Sequence, residues 1–167
     1  MEKKEYRPIA NIVKEGAKIV HKNFSGRPDQ FRPNGGKRSF SLVIDNPEDA
    51  EILKEEGWYI KQFKKKNDTD DVPDFFLPVT VSFDNFPPKI YVVTKDKSGE
   101  SMIRQITEDE VGNIDDFEID NVDLTIRPSC WDVGGKSGVS AYLKTMYVTL
   151  AQDDFAYKYA SANSEEL

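Results

Sequence analysis

The chain carries one histidine, His21, and one cysteine, Cys130, so imidazole-assisted nucleophilic chemistry would have to be built around His21. His21 falls in a strand pattern, Cys130 lies more than a hundred residues away, and neither belongs to a nucleophile–base motif. No Cys/His spacing suits zinc. Gly35-Gly36-Lys37 and Gly134-Gly135-Lys136 lack the upstream glycine of a phosphate loop and read as turns. Carboxylates are the one remaining resource: Glu108, Asp109, Glu110, Asp115, Asp116, Glu118, Asp120 and Asp123 crowd one segment. Their spacing fits no calcium loop, because Gly112 does not fall between alternating ligands, and a solvated acidic face is the plainer expectation. Neither catalysis nor a metal or cofactor is expected.

Cations and aromatic rings offer a different chemistry. Residues 1–40 hold ten Lys/Arg against four acids, a net of +6, so the remainder carries −13 of the total of −7. A partner feels the local potential of the face it meets rather than the molecular average. Binding a single nucleic-acid strand needs cations that follow the backbone and exposed rings on which bases stack. The two occur together in three places: Lys22 to Phe40, with Phe24, Arg27, Phe31, Arg32, Lys37 and Arg38; Trp58 to Lys66, with Tyr59, Lys61, Phe63, Lys64 and Lys65; and Trp131 to Tyr147, with Lys136, Tyr142 and Lys144. For Phe40, Trp58, Trp131 and Tyr147 a place in the core is the commoner fate of such a ring. Phe31, in a Pro/Gly-rich loop, has the least core to join. The candidate contacts are Arg27, Phe31, Arg38, Lys61, Lys64, Lys144 and Tyr142.

The elements that must position these residues are mostly strands. Lys18 to Phe24, Arg38 to Asp45, Trp58 to Lys66, Phe75 to Phe83, Lys89 to Lys95, Glu100 to Ile106, Asn121 to Arg127 and Val139 to Leu150 alternate or run apolar. Ser25 to Lys37 has breaker composition and reads as a long exposed loop. Asn46 to Gly57 is the clear helix: Asn46 caps it, Pro47 suits its first turn, and Gly57 its stop. Its apolar stripe is narrow, so it should lie on a sheet. Asp96-Lys97-Ser98-Gly99 turns one strand into the next as a hairpin, and Thr107 to Glu110 has capping-box spacing. Pro128 to Gly138 joins the last two strands. The expected architecture is mainly β, a closed or nearly closed antiparallel barrel of OB type with one or two short helices, a sandwich being the alternative.

The blocks Asn23-Phe24-Ser25-Gly26, Asn34 to Phe40, Gly57 to Lys61, Arg127 to Trp131 and Gly138 to Tyr147, in this order, resemble landmarks of a family of phage-encoded single-stranded-DNA-binding proteins, formerly a domain of unknown function. The resemblance runs from about residue 17 to residue 152. It implies an OB-type fold and non-catalytic, sequence-independent binding of single-stranded DNA during phage replication or recombination.

One domain is expected over 1–152, with a basic arm at 1–16, a binding loop at 25–37 and an acidic mobile tail at 153–167. That tail could recruit replication proteins or lie over the cationic face. With no apolar run near the ~20 residues that span a bilayer, no signal-type N-terminus and no possible internal disulfide, the expected location is the cytoplasm, the host's if phage-encoded. Two rival functions remain: a phage adaptor or inhibitor that engages a host protein through its acidic face, and a metal-dependent nuclease using the carboxylate cluster.

Overall fold

The alternating segments become strands in the computed structural model, which describes residues 9–28, 33–63, 75–84, 86–95 and 98–151. In chain order they are β1 (Ile12–Lys14), β2 (Ile19–Asn23), β3 (Arg38–Ile44), α1 (Pro47–Glu56), β4 (Lys61–Gln62), β5 (Phe75–Val81), β6 (Lys89–Lys95), β7 (Ser101–Ile106), a 3-10 helix (Val111–Asp116), β8 (Ile119–Val133) and β9 (Lys136–Leu150). The paired order is β1-β8-β9-β5-β3-β2, with β4 also beside β5, β6 beside β9 and β7 outside β6. Among the described residues no helix is long and apolar enough to cross a membrane.

The sheet is not antiparallel throughout. β9 runs parallel to both β5 and β6. A parallel pair needs a long crossover, which β6, β7, the 3-10 helix and β8 supply between β5 and β9. Nor does the ladder close, since β1 and β2 lie at its two ends. The backbone between them spans the gap: Ala17 N–H donates to the Val122 carbonyl at 2.7 Å, and Val43 N–H donates to the Lys18 carbonyl at 2.9 Å. Consecutive residues thus bond to opposite sheet edges, and Gly16, at φ 60°, takes the bend before them. One N-terminal stretch bridging two strands, with a parallel closing pair, makes the partly open barrel of OB type.

The core lies inside this barrel. Phe24 stacks on Phe40 with centroids 5.4 Å apart, and Leu42, Leu77, Val79, Ile126, Leu143 and Met146 fill the space around them. Val111 and Ile114 of the 3-10 helix are fully buried with them. Each such side chain contributes about 1.5–3 kcal/mol by leaving water. The helix α1 forms where its caps demand: Asn46 Oδ1 accepts from Glu48 N–H at 2.9 Å, and Gly57 ends it at φ 103°. Trp58, which follows, is buried and bridges Val139.

Two expected elements differ. The strand proposed for Trp58 to Lys66 is only Lys61–Gln62 within the described residues, because Trp58 turns into the core instead of alternating. Pro128 to Gly138 is not a separate connection: β8 and β9 run through it as strands of 15 residues each. Gly134 and Gly135, at φ 58° and 79°, form the two-residue turn that matches strand twist when both central φ are positive. Pro128 is tolerated because β1 pairs only as far as Ile126, leaving β8 an edge strand beyond it.

Candidate nucleic-acid interface

Along β8 the buried residues Val122, Leu124 and Ile126 put Thr125, Arg127, Ser129 and Trp131 on the outer face. Register carries that face across the barrel. Arg127 is opposite Tyr142, Tyr142 beside Thr80, Thr80 opposite Ser39, and Ser39 opposite Asn23. Ser129 faces Ser140, and Pro78 faces Ser41, whose hydroxyl lies 3.2 Å from His21 Nδ1. Trp131 faces Gly138, and Lys61 faces Phe76. None of these positions holds Asp or Glu, in a chain that has 30 of them; the face meets its first carboxylate of β8 at Asp123, opposite Tyr147. An anionic strand laid here would meet serine hydroxyls, rings and cations.

The rings lie at both ends of the face. Trp131 keeps 43% of its surface exposed, and its indole lies over Gly138, where a Cβ would come within 2.6 Å of Cζ2. A glycine there is what allows the ring to lie flat on the backbone. The Arg127 guanidinium lies over two rings, its carbon 4.7 Å from the Tyr142 centroid and 5.3 Å from that of Phe86. Its Nε is buried without a hydrogen-bond partner. At the other end His21, Phe63 and Phe76 form a three-ring cluster with centroids 4.5–5.6 Å apart. Beside it the Lys61 ammonium sits 5.3 Å from the exposed Tyr59 ring.

The structure separates the sequence-predicted residues. Tyr142 is on this face, Lys61 pairs onto it, and Lys144 is the extra residue where the β8–β9 register shifts, exposed next to it. Arg27 is at the β2 end: its N–H donates to Asn23 Oδ1 at 2.9 Å, and its carbonyl accepts from Asn23 Nδ2 at 3.1 Å. Arg38 is elsewhere, on the core side of β3 at the barrel mouth, 5.5 Å over Phe83 and 3.1 Å from Glu108. Phe31 and Lys64 lie outside the described residues. Sequence reasoning passed over Arg127 and Phe86, one read as a strand end and the other as loop. Alternation from Leu124 through Trp131 would have placed Arg127 and Trp131 on one face, had Pro128 not been read as the end of the strand.

The mouth accounts for much of the acidic segment. The Asp115 carboxylate accepts from Phe24 N–H at 2.8 Å, Ser25 N–H at 3.1 Å and Ser25 Oγ at 2.8 Å, tying the 3-10 helix to the root of the 25–37 loop. Gly36 N–H donates to the Gly26 carbonyl at 2.7 Å and holds the two legs of that loop together. Partial burial pushes the Glu110 carboxyl up, but the Arg104 guanidinium at 2.8 Å, by hydrogen bond and charge, and Thr107 outweigh it. The group therefore stays below the ordinary carboxylate value. Among the described residues no three His, Cys, Asp or Glu side chains converge as a metal site would need.

A family model described as "Putative phage ssDNA-binding domain" matches residues 1–166. The chain belongs to that family. The match includes residues 1–16, which the sequence resemblance had left out, and the acidic tail. The fold is similar to solved structures of the single-stranded DNA-binding protein from bacteriophage Enc34. Its complex with ssDNA matches at TM-score 0.48 and 14% identity, covering 92% of this chain and 99% of that one. A C-terminal truncation of the same protein matches at TM-score 0.47 and 14% identity, over 86% and 87%. No curated protein matches the chain.

Proposed function

We propose that this member of the phage family binds single-stranded DNA without sequence preference and without catalysis, serving phage DNA replication or recombination. The strand lies across the outer face of β8, β9, β5, β3 and β2. The observation that carries this reading is the part of that face from Thr125 to Trp131 and across β9 and β5 to Lys61, whose paired positions hold Trp131, Tyr142, Arg127 and Lys61 and no carboxylate, on a chain of net charge −7. Stacking accepts every base because every base has a π-face, so rings and cations bind without reading sequence. The engagement of Asp115, Glu108 and Glu110 in the fold argues for structural rather than metal-binding carboxylates. Tyr142, Lys144, Lys61 and Arg27 contribute to the site, and Phe31 and Lys64, which lie outside the described residues, are proposed to join them. The tail at 153–167 lies outside the described residues; its Glu165-Glu166-Leu167 end is proposed to recruit replication proteins.

Titrating fluorescent oligo-dT and a matched duplex at two salt concentrations tests the reading. Single-strand affinity should exceed duplex affinity and fall with salt, by about 0.7 in log–log slope for each phosphate contacted. Equal affinity for both, or binding indifferent to salt, would refute it.

A further inference from the structure

We infer that Phe86 and Tyr142 form a seat for one nucleobase, occupied in the free protein by the guanidinium of Arg127; this rests on the single-strand reading above. The guanidinium is planar, and its carbon lies over both rings, 5.3 Å from the Phe86 centroid and 4.7 Å from that of Tyr142, where a planar base could stack in its place. Among the described residues no carboxylate pairs with the guanidinium, and its buried Nε has no partner. Arg38 shows the contrast, since Glu108 anchors it at 3.1 Å. A guanidinium whose buried Nε makes no hydrogen bond loses little there on leaving, and gains a charge-assisted bond if it swings onto a neighbouring phosphate. Base entry and phosphate capture are thereby one exchange.

Phe86 is otherwise without a role. It is 70% exposed and contributes nothing to the core. Pro87 and Pro88 follow it, so its backbone is confined to extended conformations and the ring stands on a stiff support. A ring presented in this way closes on a ligand with little ordering cost.

The test uses the full-length protein and a short oligo-dT, titrated over a range of salt, with Phe86→Ala, Phe86→Tyr and a melting curve for each. Loss of one base stack should weaken binding about 5- to 150-fold in Phe86→Ala, with the salt slope and melting temperature unchanged. Phe86→Tyr should bind as the unaltered protein does. Photocrosslinking of an oligonucleotide carrying 5-iododeoxyuridine should attach it to the peptide holding Phe86 or Tyr142. Unaltered affinity in Phe86→Ala, while the parent protein binds single strands normally, would overturn the seat and leave the wider reading standing. A loss accompanied by a shallower salt slope would also overturn it, because the ring would then merely position Arg127 against a phosphate. Failure of the parent protein to bind any single strand would remove both.

Discussion

The outer face of the barrel and its mouth both bring arginine against phenylalanine, and they treat the charge in opposite ways. At the mouth Arg38 lies over Phe83 and is neutralised by Glu108, while Asp115 ties down three donors of the loop root. On the face Arg127 lies over Phe86 and Tyr142, with no carboxylate paired to it among the described residues. Both arginines bury an unpartnered Nε, so burial alone does not distinguish them. What distinguishes them is whether the protein supplies the counter-charge or leaves it to a ligand. The mouth should therefore govern stability, and the face binding.

The largest effect should come from Asp115→Ala. Hydrogen bonds to a charged group are each worth about 1.5–3 kcal/mol, and of the donors left behind the Phe24 N–H is partly buried while those of Ser25 are exposed. A net loss of about 3 kcal/mol is expected, visible as a fall of several degrees in melting temperature. Single-strand affinity, measured well below melting, should change less than threefold. A tenfold loss of affinity would mean the mouth also binds, and the division would fail.

Trp131→Ala should do the reverse. Removing an exposed stacking platform should weaken single-strand binding by about 1–3 kcal/mol with melting little altered. Trp58 is the internal control, since it is buried at the start of the same β9 neighbourhood. Trp58→Ala should cost about 3–5 kcal/mol of stability. Gly138→Val sharpens the point: its side chain would collide with the indole, so binding should fall although Trp131 is still present. Intact binding in Gly138→Val would show that the indole does not need its seat on the glycine.

The two arginines come next. Arg127→Met should weaken oligo-dT binding at least about tenfold, the scale of one charge-assisted hydrogen bond, and reduce the salt slope by about 0.7. Arg38→Met should leave both unchanged and lower melting, because Glu108 loses its partner. The same slope change in both variants would erase the distinction between face and mouth.

How much of this was legible beforehand depended on the range of the interaction. The helix was readable because Asn46, Pro47 and Gly57 each act within one turn of it. The β6–β7 hairpin was readable for the same reason, its strands being adjacent in sequence. The OB-type barrel was inferred from strand number and length. The parallel pairing of β9 with β5 was not, because nothing local records a contact made across some sixty residues. Residue type singled out Tyr142, Lys61 and Arg38 alike; only the fold shows that the first two share the outer face while Arg38 pairs with Glu108 from seventy positions away. Phe86 looked like loop because its ring contact is with Arg127, more than forty residues away in sequence on another strand.

The smallest expected effect probes the mouth by pH. Glu110 accepts from Arg104 at 2.8 Å and from Thr107, and its carboxyl is held below the ordinary value despite partial burial. A carboxylate whose folded pKa is depressed stabilises the fold above its unfolded pKa, about 4.3 for Glu. That contribution is lost as pH falls through the lower, folded value. Glu110→Gln keeps an acceptor for Thr107 and removes only the charge. The variant should melt slightly below the parent at pH 7, and the gap should narrow and vanish as the solution is acidified beyond the carboxylate range. Because Arg104 and Glu110 are partly solvated, high salt should shrink the gap as well. Oligo-dT affinity should be the same in both proteins at neutral pH, since Glu110 belongs to the mouth. A gap that widens on acidification would reverse the sign of the linkage, and a change in affinity would put Glu110, and with it the mouth, inside the binding surface.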